Sequence, residues 1–286
     1  CVYSFLDWDT AVFASPSTYQ STQRRLCRSP ERADELPIEK HVFDAPATPL
    51  RDIEPHLKDV THLLTTICPL DDGSDPVLAS HRDALLAAPN LQWIGYLSST
   101  SVYGNADGAW VDESSPLRPP GNRGQRRVAV EQKWIELGVE KNVPVHVFRL
   151  GSVYGEGKGP LQLVQSGRMK YRISKPGHVV IWIHIDDIVS VVVASMKNPS
   201  TSNPAIYNVV DDVPMSSQEV LEHVCKLLGK DELPLIDWED DRVAWIKAWY
   251  MENKRVSNEK MKRGLGVELK YPTAIEGLTA LSKQKT

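Results

Sequence analysis

Two hydrophobic periods alternate along this chain. Residues 61–67 and 91–99 are near-continuous runs of apolar and β-branched side chains, as expected of strands buried on both faces. Residues 143–150 form a third run of this kind. Residues 75–88 and 122–141 carry helical spacing. So do residues 50–60, where Leu50, Ile53, Leu57 and Val60 fall on one face. Residues 40–44, 179–185 and 205–210 are shorter strand candidates, and Asp186 opens a helix that runs to Lys197. Strands alternating with helices in this way predict βαβ units and a parallel sheet covered by helices on both sides, with residues 61–67, 91–97 and 143–150 in its buried centre.

After Asp211 the pattern changes. Residues 216–229 read as a capped helix, with Ser216 as N-cap, Glu219 three positions later and Gly229 as the stop. Trp238, Trp245, Trp249 and Tyr250 make an aromatic-rich stretch, and residues 257–264 and 273–281 predict short helices. The expected fold class is therefore α/β: a doubly wound parallel sheet with an atypical first βα unit and a small C-terminal helical lobe. The expected division is 1–26 as an atypical N-terminal segment, 27–157 with 178–212 as the sheet core, and 158–177 with 213–286 as a substrate lobe.

The N-terminal segment departs from the rest. A doubly wound nucleotide fold begins with strand, glycine-rich loop and helix. Residues 2–6 are a strand candidate, yet residues 1–26 contain no glycine and the first glycine of the chain is Gly73. The chain starts at Cys1, and its first 26 residues are rich in Ser, Thr and Arg. A retained transit peptide, a trimmed product and an incomplete chain are all open readings.

Composition narrows the classes. With 286 residues the chain can bury a sizeable core, and 41% hydrophobic with 24% charged residues is ordinary for a globular protein. A net charge of -4 gives no reason to expect nucleic acid or an anionic membrane surface as partner. No apolar run approaches the ~18 residues that span a bilayer. Cys1, Cys27, Cys68 and Cys225 are scattered, with no metal-type pair, so reduced thiols in a soluble intracellular protein are expected, in the cytoplasm or an organelle stroma such as that of a plastid.

Candidate chemistry sits in three stretches: Leu97-Ser98-Ser99-Thr100-Ser101-Val102-Tyr103-Gly104, then Arg123, Arg127 and Glu131 at four-residue spacing, then Phe148-Arg149-Leu150-Gly151-Ser152-Val153-Tyr154-Gly155. Their order resembles the active-site half of an extended short-chain dehydrogenase/reductase, the group of nucleotide-sugar epimerases and dehydratases. The resemblance covers about residues 27–281 and implies a Rossmann-like fold linked to NADP.

What the resemblance implies for single residues can be set beside the plainer reading of each. Ser99 ends a strand where the family binds a substrate hydroxyl; alone, it is a serine bonded to a turn. Counting back from Glu131, Arg127 falls at the family's ribose-binding Lys and Arg123 at its acid-base Tyr. Arg127 can still donate to ribose, whereas the guanidinium of Arg123 cannot exchange a proton near neutral pH, so the usual route of hydride transfer is disfavoured. The plain alternative is a solvated basic face with Arg127 and Glu131 paired one turn apart. Two arginines beside a strand-end pocket also suit a phosphate.

Arg28 stands where a basic residue selects the 2′-phosphate of NADP, or is a surface arginine. Asp44 stands where an acid bonds adenine, or caps a turn. Tyr103 and Tyr154 are the nearby phenols. Ile183-His184-Ile185-Asp186 matches a strand-to-helix junction, with Asp186 as a cap. Asn253, Lys254 and Arg255 face a substrate phosphate or belong to a solvated loop.

The expected function is an NAD(P)-dependent epimerase/dehydratase-like or oxidoreductase-like protein acting on a nucleotide, nucleotide-sugar or related small molecule. The alternative is a non-catalytic nucleotide-sensing module, or an isoform that has lost its cofactor. The expected site is Ser99, Arg123 and Arg127 for catalysis and Arg28, Asp44 and Arg127 for NADP, with no metal.

Overall fold

The computed structural model describes residues 53–119, 121–199 and 204–283, together with the backbone of three strands within 10–42. Its strands are β1 (Thr10–Ala14), β2 (Gln23–Cys27), β3 (Glu39–Val42), β4 (His62–Thr65), β5 (Trp93–Ser99), β6 (Trp110–Val111), β7 (Val145–Leu150), β8 (Ser152–Tyr154), β9 (Arg172–Ser174), β10 (Trp182–His184), β11 (Ala205–Val209), β12 (Leu235–Asp237) and β13 (Arg255–Val256). Its helices are α1 (Glu54–Leu57), α2 (Pro76–Ala87), α3 (Asn122–Lys141), α4 (Pro160–Gln165), α5 (Ile185–Lys197), α6 (Ser217–Leu227), α7 (Lys247–Tyr250), α8 (Glu259–Leu265) and α9 (Ala274–Lys283).

The architecture is α/β and Rossmann-like. Seven strands form one sheet in the order β11-β7-β5-β4-β1-β2-β3. The three apolar runs of the sequence supply β4, β5 and β7, each flanked by a strand on either side, and every residue in them except His62 and Ser99 is buried. β4 pairs parallel with β5, and β2 with β3.

The expectation of a wholly parallel sheet needs one correction. β1 runs antiparallel to both of its neighbours, with Ala11 opposite Thr65 and Ala14 opposite His62 on one side, and Thr10 opposite Cys27 on the other. The physical reason is connectivity. An antiparallel pair can be joined by a short return, whereas a parallel pair needs a crossover of a dozen or more residues, and only residues 15–22 separate β1 from β2. The strand candidate at 2–6 lies outside the described residues.

The chain divides into two compact units. The first comprises residues 1–99, 121–149 and 192–207; the second comprises 100–120, 150–191 and 208–286. In the first unit, α3 buries Gly124, Arg127, Val130, Glu131, Trp134, Leu137 and Gly138, a stripe at three- and four-residue spacing. The helix ends at Asn142, which adopts the left-handed conformation that closes a C-terminus. Trp134 is fully buried and stacks on Tyr96 of β5 at 6.4 Å.

Gly138 lets α3 approach β7, because a Cβ there would stand 2.2 Å from Val145 Cγ2 and 2.8 Å from the Val143 carbonyl oxygen. Glycine to alanine in an exposed helix stabilises by about 1 kcal/mol. Gly138→Ala is expected to do the opposite and lower the midpoint of thermal unfolding.

In the second unit, β8 and β10 pair parallel, and α4, α6 and α9 contribute to a core containing Tyr154, Leu161, Val220, Val224 and Leu278. α6 carries the capping box read from the sequence: Ser216 and Glu219 satisfy each other's backbone donors. Of the expected helix over 50–60, Glu54–Leu57 form the single turn α1, Asp59–Val60 lead into β4, and residues 50–52 lie outside the described residues.

Candidate functional site

The chemistry gathers at the carboxyl ends of β4 and β5, where open α/β sheets bind ligands. Beyond β4 the chain turns at Gly73, whose φ of 84° suits glycine, and enters α2 through Asp75. Asp75 is buried. One carboxylate oxygen accepts the N–H groups of Val77 and Leu78, and the other accepts Trp134 Nε1 at 3.0 Å, which ties this loop to α3. Burial pushes the Asp75 carboxyl up, and its hydrogen bonds offset part of that.

The buried stripe of α3 carries two charged residues with different fates. Glu131, 3% exposed, accepts the Ser98 hydroxyl and both ends of the Arg149 guanidinium, with Nη2 at 2.8 Å and Nε at 3.2 Å. This is a compensated ion pair joining α3, β5 and β7. Arg127, 4% exposed, has only neutral acceptors among the described residues: Leu97 O at 3.3 Å, Cys68 Sγ at 3.3 Å and the Tyr96 hydroxyl at 3.5 Å. Burial opposes its charge, but Tyr96, Cys68 and Glu131 outweigh that and its pKa is raised, so it stays a cation.

The neighbouring Arg126, by contrast, reaches Asp71 at 2.7 Å on the surface. No carboxylate hydrogen-bonds the Arg127 guanidinium among the described residues, so an anion brought by a ligand would pair with it directly. Cys68, half-buried, is the member of this set that meets solvent.

The expected residues fall as follows. Ser99 ends β5 and is half-buried; its neighbour Ser98 holds Glu131. Arg127 lies on the buried face of α3, and Arg123, one turn earlier, is exposed. Arg127 and Glu131 are therefore not partners on a solvated face, since Glu131 is taken by Arg149. Arg28 and Asp44 lie outside the described residues.

In the second unit the two phenols are engaged. Tyr103 donates to Asn208 Oδ1 at 2.6 Å, and Tyr154 donates to Thr273 O at 3.4 Å under Gly277, with burial pushing its pKa up. Asn253 and Lys254 are structural ties, not a solvated loop. Asn253 bonds Gly177 and Val179, and Lys254, 5% exposed, bonds Gly104 O and Glu252. His184 packs on Tyr271 with ring centroids 4.2 Å apart and is held largely neutral by burial, at a pKa of about 4.

Sequence reasoning missed Ser98, Cys68 and Arg149. A charged residue inside the apolar strand around Arg149 was the available signal.

The profile of the NAD-dependent epimerase/dehydratase family matches residues 77–209. The solved structure of a functionally unknown conserved protein from Silicibacter pomeroyi is 40% identical, covers 91% of this chain and 89% of its own, and superposes with a TM-score of 0.80. Over residues 77–209, just under half of its length, the chain is similar to the epimerase/dehydratase family. A UDP-glucuronic acid 4-epimerase from Bacillus cereus, solved with NAD, shares this Rossmann-like fold at 17% identity and a TM-score of 0.65, over 86% of this chain and 80% of its own. An epimerase family protein of Arabidopsis thaliana, described as chloroplastic, is 26% identical over 197 residues, 65% of this chain. This chain spans 54% of that relative's length. Among the described residues no helix is long and apolar enough to cross a membrane.

The dinucleotide of this family can be tested against the residues present. The seven strands stand in the order 3-2-1-4-5 and onward that a doubly wound dinucleotide fold uses. In that fold the pyrophosphate lies on a glycine turn and helix N-terminus directly after the first strand, at the same edge as the ends of strands 4 and 5. Here β1 is inverted. Its last residue, Ala14, lies beside His62 at the start of β4, so the chain leaves β1 at the opposite edge. No glycine precedes Gly73. The pyrophosphate cradle does not fit this first unit. β2 and β3 keep the usual direction, so Cys27 and Val42 end at the ligand edge.

Proposed function

We propose that this protein is an epimerase-like nucleotide-binding protein in which Arg127 holds an anionic group of a nucleotide or nucleotide-sugar at the ends of β4 and β5, with Ser99 orienting the ligand. The observation that carries the reading is the buried Arg127 guanidinium, bonded among the described residues only to neutral acceptors. Hydride transfer through a Tyr–Lys pair is not part of this reading. Arginines occupy both positions, and the Tyr103 and Tyr154 hydroxyls are bound to Asn208 and Thr273. NADP is the dinucleotide that Arg28 would select, and the missing cradle argues for weak binding of it. The non-catalytic alternative is thus favoured over an active oxidoreductase.

The test is calorimetric titration of UDP-glucose and NADPH into wild type, Arg127→Met and Arg123→Ala. A charge-assisted contact is worth about 1.5–3 kcal/mol, so Arg127→Met should weaken binding about 10- to 100-fold while Arg123→Ala changes it less than about threefold. Equal affinity in wild type and Arg127→Met would remove Arg127 from the site.

A further inference from the structure

Resting on the nucleotide-binding reading, we propose that the strand-end site of the first unit takes a mononucleotide, held through one phosphate at Arg127, and not a dinucleotide. Three observations converge. The slot that normally feeds the pyrophosphate turn is filled by an inverted strand, and β4 is already paired on both sides, by β5 and β1, so no other segment can enter there. The helix N-terminus that would take the second phosphate is therefore not supplied from that slot.

Among the described residues, Arg127 is the buried cation at this strand edge that no carboxylate hydrogen-bonds. Arg127 Nη1 donates to Leu97 O and the Tyr96 hydroxyl, and its Nη2 donates to the half-buried Cys68. Its two oxygen contacts, at 3.3 and 3.5 Å, are longer than the 2.8 Å of Arg149 on Glu131, while 3.3 Å to the larger Cys68 sulfur is an ordinary contact. A guanidinium fork matches two oxygens of one phosphate. The sugar and base would then extend along the edge toward Ser99, at the end of β5.

The Cys68 thiol gives a readout at the site itself. Wild-type protein is titrated with AMP, UMP, inorganic phosphate and NADPH by calorimetry. In parallel, alkylation of Cys68 by iodoacetamide is followed by peptide mass spectrometry, with the fully buried Cys225 as the unreactive control. AMP or UMP should bind saturably, slow Cys68 alkylation several-fold, bind at least about tenfold tighter than phosphate, and lie within about tenfold of NADPH. Arg127→Met should abolish the protection, and Arg127→Lys, which keeps the charge, should retain part of it.

NADPH binding about a hundredfold or more tighter than AMP overturns the mononucleotide assignment and leaves the nucleotide-binding reading standing. Phosphate equal to AMP overturns the assignment as well, because the nucleoside then contributes nothing. No binding by any of the four, with Cys68 unprotected, overturns both.

Discussion

Glu131→Ala is expected to cost the fold about 3–5 kcal/mol, measured as the change in unfolding free energy in urea. The carboxylate is 3% exposed, accepts the Ser98 hydroxyl and pairs with Arg149 through two guanidinium nitrogens. Removing it takes the acidic partner from a buried cation in β7 and the acceptor from a buried hydroxyl in β5. It also opens a cavity under α3. Removing both charges should be far milder than removing one, because the desolvation cost of the pair disappears with its attraction. Glu131→Leu combined with Arg149→Met is therefore expected to recover most of the loss. A cost below about 1 kcal/mol for Glu131→Ala would show that this network does not hold the helix to the sheet.

Stability should peak near pH 6.5 and fall on the alkaline side, and Asp211→Asn should remove that fall. Asp211 is 2% exposed, and neither carboxylate oxygen has a well-formed hydrogen bond. Burial, and then the charge of Asp212, push its pKa up to about 8, against 3.8 for an ordinary Asp. Between those values the folded chain keeps a proton that the unfolded chain has released, so rising pH costs stability by up to about 1.4 kcal/mol per unit.

Below pH 6.5 the histidines act in the other direction. Burial holds His146 and His184 at about 4, so the unfolded chain binds protons there that the fold excludes, and rising pH is stabilising until 6.5. From pH 6.5 to 8 the Asp211 contribution stands without that opposition. Thermal midpoints of wild type and Asp211→Asn between pH 5 and 9 check this. The same alkaline slope in both proteins would place the effect elsewhere.

Much of the fold was legible because burial writes itself into spacing. The helical spacing over 122–141 matches the observed limits of α3, and α6 followed from the Ser216–Glu219 box. β4, β5 and β7 followed from near-continuous apolar runs. The inversion of β1 was not legible, since hydrophobic pattern fixes which face of a strand is buried and not its direction in the sheet.

The same ambiguity affected the site. Four-residue spacing fits a solvated ion pair and a buried stripe equally well, so Arg127 and Glu131 looked like partners. Only the placement of Arg149 and Ser98 separates them. Lys254 was unreadable for a similar reason, because its acceptor, the Gly104 carbonyl, is 150 residues away in the chain.

The proposed reading is an epimerase-like sheet that offers Arg127 at its strand ends, with the inverted β1 in the slot that a dinucleotide cradle would follow. Calorimetric titration of the purified chain with NADPH tests it most directly. Weak binding, in the range of about 0.1 mM or above, or no saturable heat, is the result this account predicts. Tight binding of one NADPH per chain would contradict it.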